Sequence, residues 1–153
     1  MEKKSYTLDG TFREKKLIDM ACGTGDLGKL FLKNTNFTGK VLCVDPNSGM
    51  LKKGVSRLKK HKNLTWKKGY AERISSPNNY FDYYTISFGL RNTKNINKSL
   101  KEAYRVLKPG GRFLCLEFSK IQNYQLNILY KNYSKIIPHI GKIVVGKKEP
   151  YEY

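Results

Sequence analysis

The feature that most constrains this chain is a short apolar run that breaks into glycines and resumes as a helix. Residues 15–21 (KKLIDMA) read as a β-strand, Cys22-Gly23-Thr24-Gly25 as a tight turn, and residues 26–33 as the start of a helix. A strand that passes through glycines into a helix is the first half of a βαβ unit, and the pattern recurs. Residues 40–45 (KVLCVD) predict a second strand. Residues 48–61 place Leu51, Val55 and Leu58 at helical spacing, with Ser48 as the expected N-cap. Residues 64–68 predict a short third strand and residues 81–87 (FDYYTIS) a fourth. Ile96, Leu100, Ala103 and Leu107 share one face of a helix expected to end before Pro109-Gly110-Gly111. Residues 112–118 (RFLCLEF) predict a fifth strand, and residues 122–137 carry Leu126, Leu129, Tyr130, Tyr133 and Ile137 at helical spacing. Strands that alternate with helices predict an α/β fold with a parallel sheet of about five strands. In such sheets ligands bind beyond the carboxyl ends of the strands, near the reversal of strand order.

A chain of 153 residues suits one domain, here expected over residues 15–153 after a short N-terminal segment, residues 1–14. No stretch approaches the ~20 apolar residues of a membrane-spanning helix. The polar, lysine-bearing start has no apolar core of a signal peptide, so a cytoplasmic address is expected. Cys22, Cys43 and Cys115 lack metal-ligand spacing and are expected to be buried thiols, with no metal site. The net charge of +18 has two readings. One is an anionic partner, either nucleic acid or an acidic membrane surface. The other is biased composition, since six Lys-Lys pairs are scattered along the chain and not clustered. No motif for specific RNA reading is present, so an enzyme acting on RNA rests on charge and tyrosine content alone.

Glycines after the first strand let the backbone turn sharply and approach a ligand closely. Gly23-x-Gly25-x-x-Gly28 also matches a dinucleotide fingerprint. Two acids discriminate between ligands. Asp45 ends the second strand, where a carboxylate accepts hydrogen bonds from ribose hydroxyls in NAD or in S-adenosylmethionine. Asp19 precedes the loop, where a carboxylate favours a ligand with a cationic end and repels a pyrophosphate. Asp26 adds negative charge where a phosphate would sit on the helix N-terminus, and doubles as a complement to the helix dipole. The set favours S-adenosyl-L-methionine over NAD.

The fourth strand runs into Ser87-Phe88-Gly89-Leu90-Arg91-Asn92, which the fold should place beside a methyl donor. Enzymes that methylate exocyclic nitrogens of bases carry an acidic or Asn residue followed by Pro-Pro-aromatic at this point. This chain lacks that sequence, which counts against base N-methylation.

Several segments together resemble the ubiquinone/menaquinone biosynthesis C-methyltransferases. They are Leu17-Ile-Asp-Met-Ala-Cys-Gly-Thr-Gly-Asp26, Tyr80-Phe-Asp-Tyr-Tyr-Thr-Ile-Ser-Phe-Gly-Leu-Arg-Asn92, and Glu102-Ala-Tyr-Arg-Val-Leu-Lys-Pro-Gly-Gly-Arg112 with Leu116-Glu-Phe-Ser119. The tail pieces Leu129-Tyr130, Tyr133-Ser134, Ile137-Pro138, Ile140-Gly141 and Tyr151-Glu-Tyr153 are similar to the same family. The resemblance implies a Rossmann-like class I methyltransferase fold and methyl transfer from S-adenosyl-L-methionine to a ring carbon of a polyprenyl benzoquinol or naphthoquinol. It puts the donor against Thr24, Asp45, Tyr70-Ala71 and Ser87, beside the loop residues Asp19, Gly23 and Gly25. It turns Arg91 and Asn92 toward the quinol, with Arg91 as the candidate catalytic group. At Tyr70 the family has a small polar residue, and a tyrosine ring there offers a stacking surface for adenine. His139 differs from the family while its neighbours match, which favours a surface or packing role.

The resemblance also implies several dozen residues before the first strand that form a lid, and a helix with two final strands after Tyr153. The chain is therefore expected to be an incomplete methyltransferase domain whose fifth strand presents an open edge for self-association or a complementing chain. A donor-binding remnant or subunit, inactive alone, is the alternative to the full enzyme. Peripheral contact with an anionic inner membrane would suit a polyprenyl substrate.

Overall fold

The computed structural model describes residues 14–118. The helix expected at 122–137, the tail pieces of the resemblance and His139 lie outside them. Five strands form one sheet: β1 (Lys16–Met20), β2 (Lys40–Asp45), β3 (Leu64–Lys68), β4 (Phe81–Ser87) and β5 (Leu107–Leu116). Helices α1 (Asp26–Asn34), α2 (Ser48–Leu58) and α3 (Ile96–Val106) fill the connections, with a 3-10 turn at Leu90–Asn92. The strand order is β3-β2-β1-β4-β5 and every pairing is parallel. Order therefore reverses between β1 and β4, which opens a crevice beyond their carboxyl ends.

The inner strands β1, β2 and β4 are largely buried because both faces of the sheet are covered there. Period-2 alternation sends Leu17, Val41 and Cys43 to one face, where they pack with Leu32 of α1, Leu58 of α2 and Leu64. Ile18, Met20, Val44, Tyr84 and Ile86 go to the other, against Ala103 and Val106 of α3 and Phe81, Ala71, Ile74 and Leu107. Burial of each such large side chain is worth about 1.5–3 kcal/mol.

The structure corrects the sequence reading in several places. Asn47, not Ser48, caps α2: its side-chain oxygen accepts from the N–H groups of Gly49 (2.9 Å) and Met50 (3.2 Å). Val55 faces solvent and Gly54 takes the inward position, because the Trp66 indole of β3 lies 2.5 Å from where a Cβ would stand. On α3 the inward residues are Ser99, Ala103 and Val106, while Ile96 and Leu100 are exposed. Ser99 tolerates burial because its hydroxyl donates to the Asn95 carbonyl (3.0 Å). Finally, β5 begins at Leu107, opposite Phe81. The strand breaks register at Pro109-Gly110-Gly111, resumes with Arg112 opposite Tyr83, and ends at Leu116.

Among the described residues β5 pairs only with β4. Phe113, Leu114, Cys115 and Leu116 are all exposed, so the expectation of a buried thiol holds for Cys43 and fails for Cys115; Cys22 is half-buried.

Candidate functional site at the carboxyl ends of the strands

The loop after β1 is built by backbone constraint. Gly23 (φ +55°) and Gly25 (φ +80°) occupy left-handed conformations that favour glycine. The Cys22 amide donates to the Val44 carbonyl (3.1 Å), and the Gly25 amide closes the turn on the Cys22 carbonyl (2.9 Å). Gly28 lies over β2 and β3, where a Cβ would press on Val41, Cys43 and Leu64 at 3.1–3.3 Å. This third glycine serves helix–sheet packing. Ala21 (φ +53°) and Phe88 (φ +52°) are non-glycine residues in the same left-handed region, one just past β1 and the other just past β4. Such conformations cost of order 1–3 kcal/mol and concentrate at functional loops. A Cβ on Gly89 would run into the Ala21 methyl group, so the two loops meet over the crevice.

Asp19 is 1% exposed beneath this loop. Its Oδ1 accepts a hydrogen bond from the Thr85 hydroxyl of β4 (2.8 Å), while Oδ2 has no hydrogen-bond partner. Burial pushes its pKa up to about 6; the Asp45 and Asp26 charges add to the rise, against the Thr85 hydrogen bond. The Gly28 amide in the first turn of α1 also lowers it, from outside hydrogen-bonding geometry. The site thus holds an acid short of positive charge. Because Asp19 is enclosed, its charge would reach the loop surface only as a field.

Asp45 is 7% exposed at the end of β2. Its Oδ2 accepts from the Gly23 amide (2.9 Å) and its Oδ1 from the Asn47 amide (2.7 Å). One carboxylate therefore ties the glycine loop to the turn that starts α2. Each oxygen retains acceptor capacity for a second donor such as a hydroxyl. The Asp45 carbonyl accepts from the Gly69 amide (3.3 Å), which joins the segment after β3 to the same edge. There Tyr70 is exposed and Ala71 is buried. Ser87 ends β4, one residue past the pairing of Ile86 with Met20, and so stands beside the loop after β1.

Thr24 and Asp26 are linked through a residue that sequence reasoning missed. The Arg57 guanidinium of α2 donates to the Thr24 carbonyl (2.9 Å), the Thr24 hydroxyl (3.0 Å) and Asp26 Oδ1 (2.7 Å). The Thr24 hydroxyl donates to Asp26 Oδ2 (3.0 Å). Beyond β4, Arg91 and Asn92 lie in the 3-10 turn, with the Asn92 amide group donating to the Phe88 carbonyl (3.2 Å). Glu117 Oε2 accepts from Arg91 Nη1 (2.8 Å). Thr85 was legible only once β4 was known to lie beside β1. Arg57 carried no local signal, since it is one charge among many in a chain with 30 basic residues, while Glu117 stood in the segment 116–119 of the resemblance without a role assigned to it.

The residues present fit a cationic donor molecule. Three acids converge near the loop, and one of them is buried with an unpartnered oxygen. The nearest neighbour of a Cβ on Gly23 would be the flexible Met50 terminus at 3.5 Å, so the loop surface is open to an approaching group.

Sheet order, crossover helices, the glycine loop and the acid ending β2 together define a Rossmann-like class I methyltransferase fold. Solved structures share it. YcgJ from Bacillus subtilis matches with a TM-score of 0.66 at 23% identity, covering 82% of this chain and 53% of its own. A SAM-dependent methyltransferase from Aquifex aeolicus matches with a TM-score of 0.65 at 23% identity, covering 72% and 61%. The particular family is narrower: the chain belongs to the ubiE/COQ5 methyltransferase family, whose model matches residues 2–153. The ubiquinone/menaquinone biosynthesis C-methyltransferase UbiE of Rickettsia bellii is 45% identical over 144 residues, which is 90% of this chain and 58% of that protein. The UbiE of Proteus mirabilis is 42% identical over 156 aligned residues, 98% of this chain and 62% of that protein. The chain thus spans about three-fifths of the length of these relatives.

Proposed function

We propose that the chain acts in S-adenosylmethionine-dependent C-methylation of a polyprenyl benzoquinol or naphthoquinol. The observation that carries the reading is the acid cluster under the glycine loop, with Asp19 buried and short of a positive partner. Family membership supplies the substrate class.

In this reading Gly23, Thr24 and Gly25 cradle the donor, Asp45 takes the ribose hydroxyls, and Tyr70, Ala71 and Ser87 line the remainder. Asp19 favours the donor's cationic end. When bound, the donor supplies an electrophilic sulfonium methyl group. The protein's work is then positional, since an oriented pair of reactants gains most of what a displacement reaction needs. A quinol ring carbon becomes nucleophilic as the adjacent hydroxyl loses its proton. Arg91, always charged, stabilises the resulting oxyanion or orients a water that accepts the proton; Asn92 holds the quinol beside it. No helix among the described residues is long and apolar enough to cross a membrane. A cytoplasmic enzyme that touches an anionic inner-membrane surface suits both the polyprenyl substrate and the +18 charge.

The test is donor binding. Charge-assisted hydrogen bonds from ribose are worth roughly 1.5–3 kcal/mol each. Asp45→Ala should therefore weaken S-adenosylmethionine binding by about ten- to a hundredfold in calorimetry. Equal affinity in the variant, or preference of the wild type for NAD, sinks the reading.

A further inference from the structure

We propose that Glu117 is the positioning residue for the substrate side of the site, the group that sets where Arg91 points. This deepens the quinol reading above and rests on it. Glu117 is the first residue past β5, and its side chain is 21% exposed. Its Oε1 accepts from the amides of Leu90 (2.9 Å) and Arg91 (3.3 Å), and its Oε2 accepts from Arg91 Nη1 (2.8 Å). One carboxylate thereby fixes both the backbone and the side chain of the same arginine. Its neighbour reinforces the arrangement: the Leu116 carbonyl accepts from the amide of Phe88 (2.8 Å), the residue held at φ +52°. The loop after β4 is therefore anchored to the end of β5 on either side of Gly89.

The geometry has a chemical consequence. An arginine side chain has four rotatable bonds, and an oxyanion stabiliser works only if it is already aimed when charge develops. A carboxylate that also holds the backbone removes most of that freedom at the root of the side chain. It further keeps the guanidinium paired until an oxyanion arrives. The 3-10 turn has no acid of its own to do this. Glu102 and Glu72 are committed elsewhere, Glu102 to Arg105 and the Ile74 amide, Glu72 to the amides of Lys94 and Asn95. Of the proposed donor residues only Ser87 belongs to β4; the others belong to β1, β2 and the loops after β1 and β3, and none of the hydrogen bonds to Glu117 reaches any of them.

The experiment separates the two ligands. Wild type, Glu117→Gln and Glu117→Asp are titrated with S-adenosylhomocysteine by calorimetry. They are then titrated with a short-chain naphthoquinol, under anaerobic conditions and in the presence of that product, by tyrosine and tryptophan fluorescence. Thermal melts are recorded for all three. Glu117→Gln keeps an oxygen for the two amides but loses the charge that holds the guanidinium. It should leave product affinity within about twofold and weaken quinol affinity by about ten- to thirtyfold, the scale of one charge-assisted hydrogen bond. Glu117→Asp, which keeps the charge at shorter reach, should recover part of the loss. Unchanged quinol affinity in Glu117→Gln overturns the assignment. Equal weakening of both ligands with a lowered melt also overturns it, because Glu117 would then be a general structural support. A wild type that binds the product but no quinol rejects the substrate reading itself, and the assignment falls with it.

Discussion

Gly25 and Gly110 have nearly the same backbone, at φ +80° and φ +75°, and opposite surroundings. Around Gly25 the space is full: a Cβ would run into the Trp66 indole and approach Leu58 to 3.3 Å. Around Gly110 no described residue beyond its chain neighbours lies within 4 Å of where a Cβ would stand. The pair stands for two regions. On the β1-β2-β3 side, α1 and α2 close over the sheet and the loops interlock through Asp45 and Arg57. On the β5 side, Phe113, Leu114 and Leu116 remain exposed and α3 turns Ile96, Leu100 and Tyr104 outward. Packing is spent where the donor is proposed to sit, and the far edge of the sheet is left open.

The largest expected effect tests that contrast directly. Gly25→Ala forces an L-residue into the left-handed region, at about 1–2 kcal/mol, and adds overpacking against Trp66 at about 1–3 kcal/mol. Gly110→Ala meets only the first term. Urea unfolding should show a loss of about 2–5 kcal/mol for the first variant and about 1–2 kcal/mol for the second. Equal losses would mean that Trp66 yields at no cost and that the donor side is no tighter than the β5 side.

The second effect is a dependence on pH confined to the donor side. The pKa of Asp19 is raised from an ordinary 3.8 to about 6. Between these values the folded chain binds more protons than the unfolded one, so stability falls as pH rises from about 4 to about 6. The whole loss amounts to about 3 kcal/mol at 1.36 kcal/mol per unit, of which about 2 kcal/mol falls between pH 4 and pH 6. A cationic ligand favours the ionised form, so donor affinity should rise through the same window. Carboxylates elsewhere, such as Asp82 between the Lys16 amide and Lys108, are held below the ordinary range and slope the other way. The informative curve is therefore the difference between wild type and Asp19→Asn. It should fall by about 2 kcal/mol from pH 4 to pH 6, and a flat difference would remove Asp19 from the electrostatic account.

The same division runs through what the sequence made legible. The strands β2 and β4 follow from largely apolar runs bounded by turns, because burial on both faces leaves little else to write there, whereas β3, with one buried residue, follows from its β-branched and aromatic residues. Asp19, Asp45 and the glycines could be found because each sits at a fixed step from a strand end. The helical faces were less legible: Val55 and Gly54 compete for one inward position, and only the bulk of Trp66 from another strand decides it. On α3 the apolar pattern pointed to Ile96 and Leu100, yet the helix buries Ser99, whose hydroxyl is satisfied by its own backbone. Periodicity cannot foresee that exchange. The pairings of Arg57 and Glu117 could not be read for a related reason, although Glu117 stands in a segment quoted for the resemblance. Their partners lie 26 to 33 residues away, and pairing depends on which strands become neighbours.

The smallest expected effect on stability has the clearest effect on association, and it lies on the β5 side. Leu114 is 51% exposed on a strand whose outer backbone groups meet no other strand among the described residues. Four consecutive apolar residues, Phe113, Leu114, Cys115 and Leu116, carry no charge to repel an approaching strand. An edge of this kind recruits another chain through backbone hydrogen bonds, and lysine is the usual way to blunt it. Because Leu114 is half out of the core, Leu114→Lys should change the unfolding free energy by no more than about 0.5–1 kcal/mol. Oligomeric state should respond far more. Size-exclusion chromatography with light scattering should find the wild-type chain self-associating in a concentration-dependent way, and the variant shifted toward monomer. Leu30→Lys, which replaces a comparably exposed leucine on α1, should leave association unchanged. A monomeric wild type, or an equal response to both lysines, would mean that the open β5 edge is already protected and that the two sides of the sheet differ in packing alone.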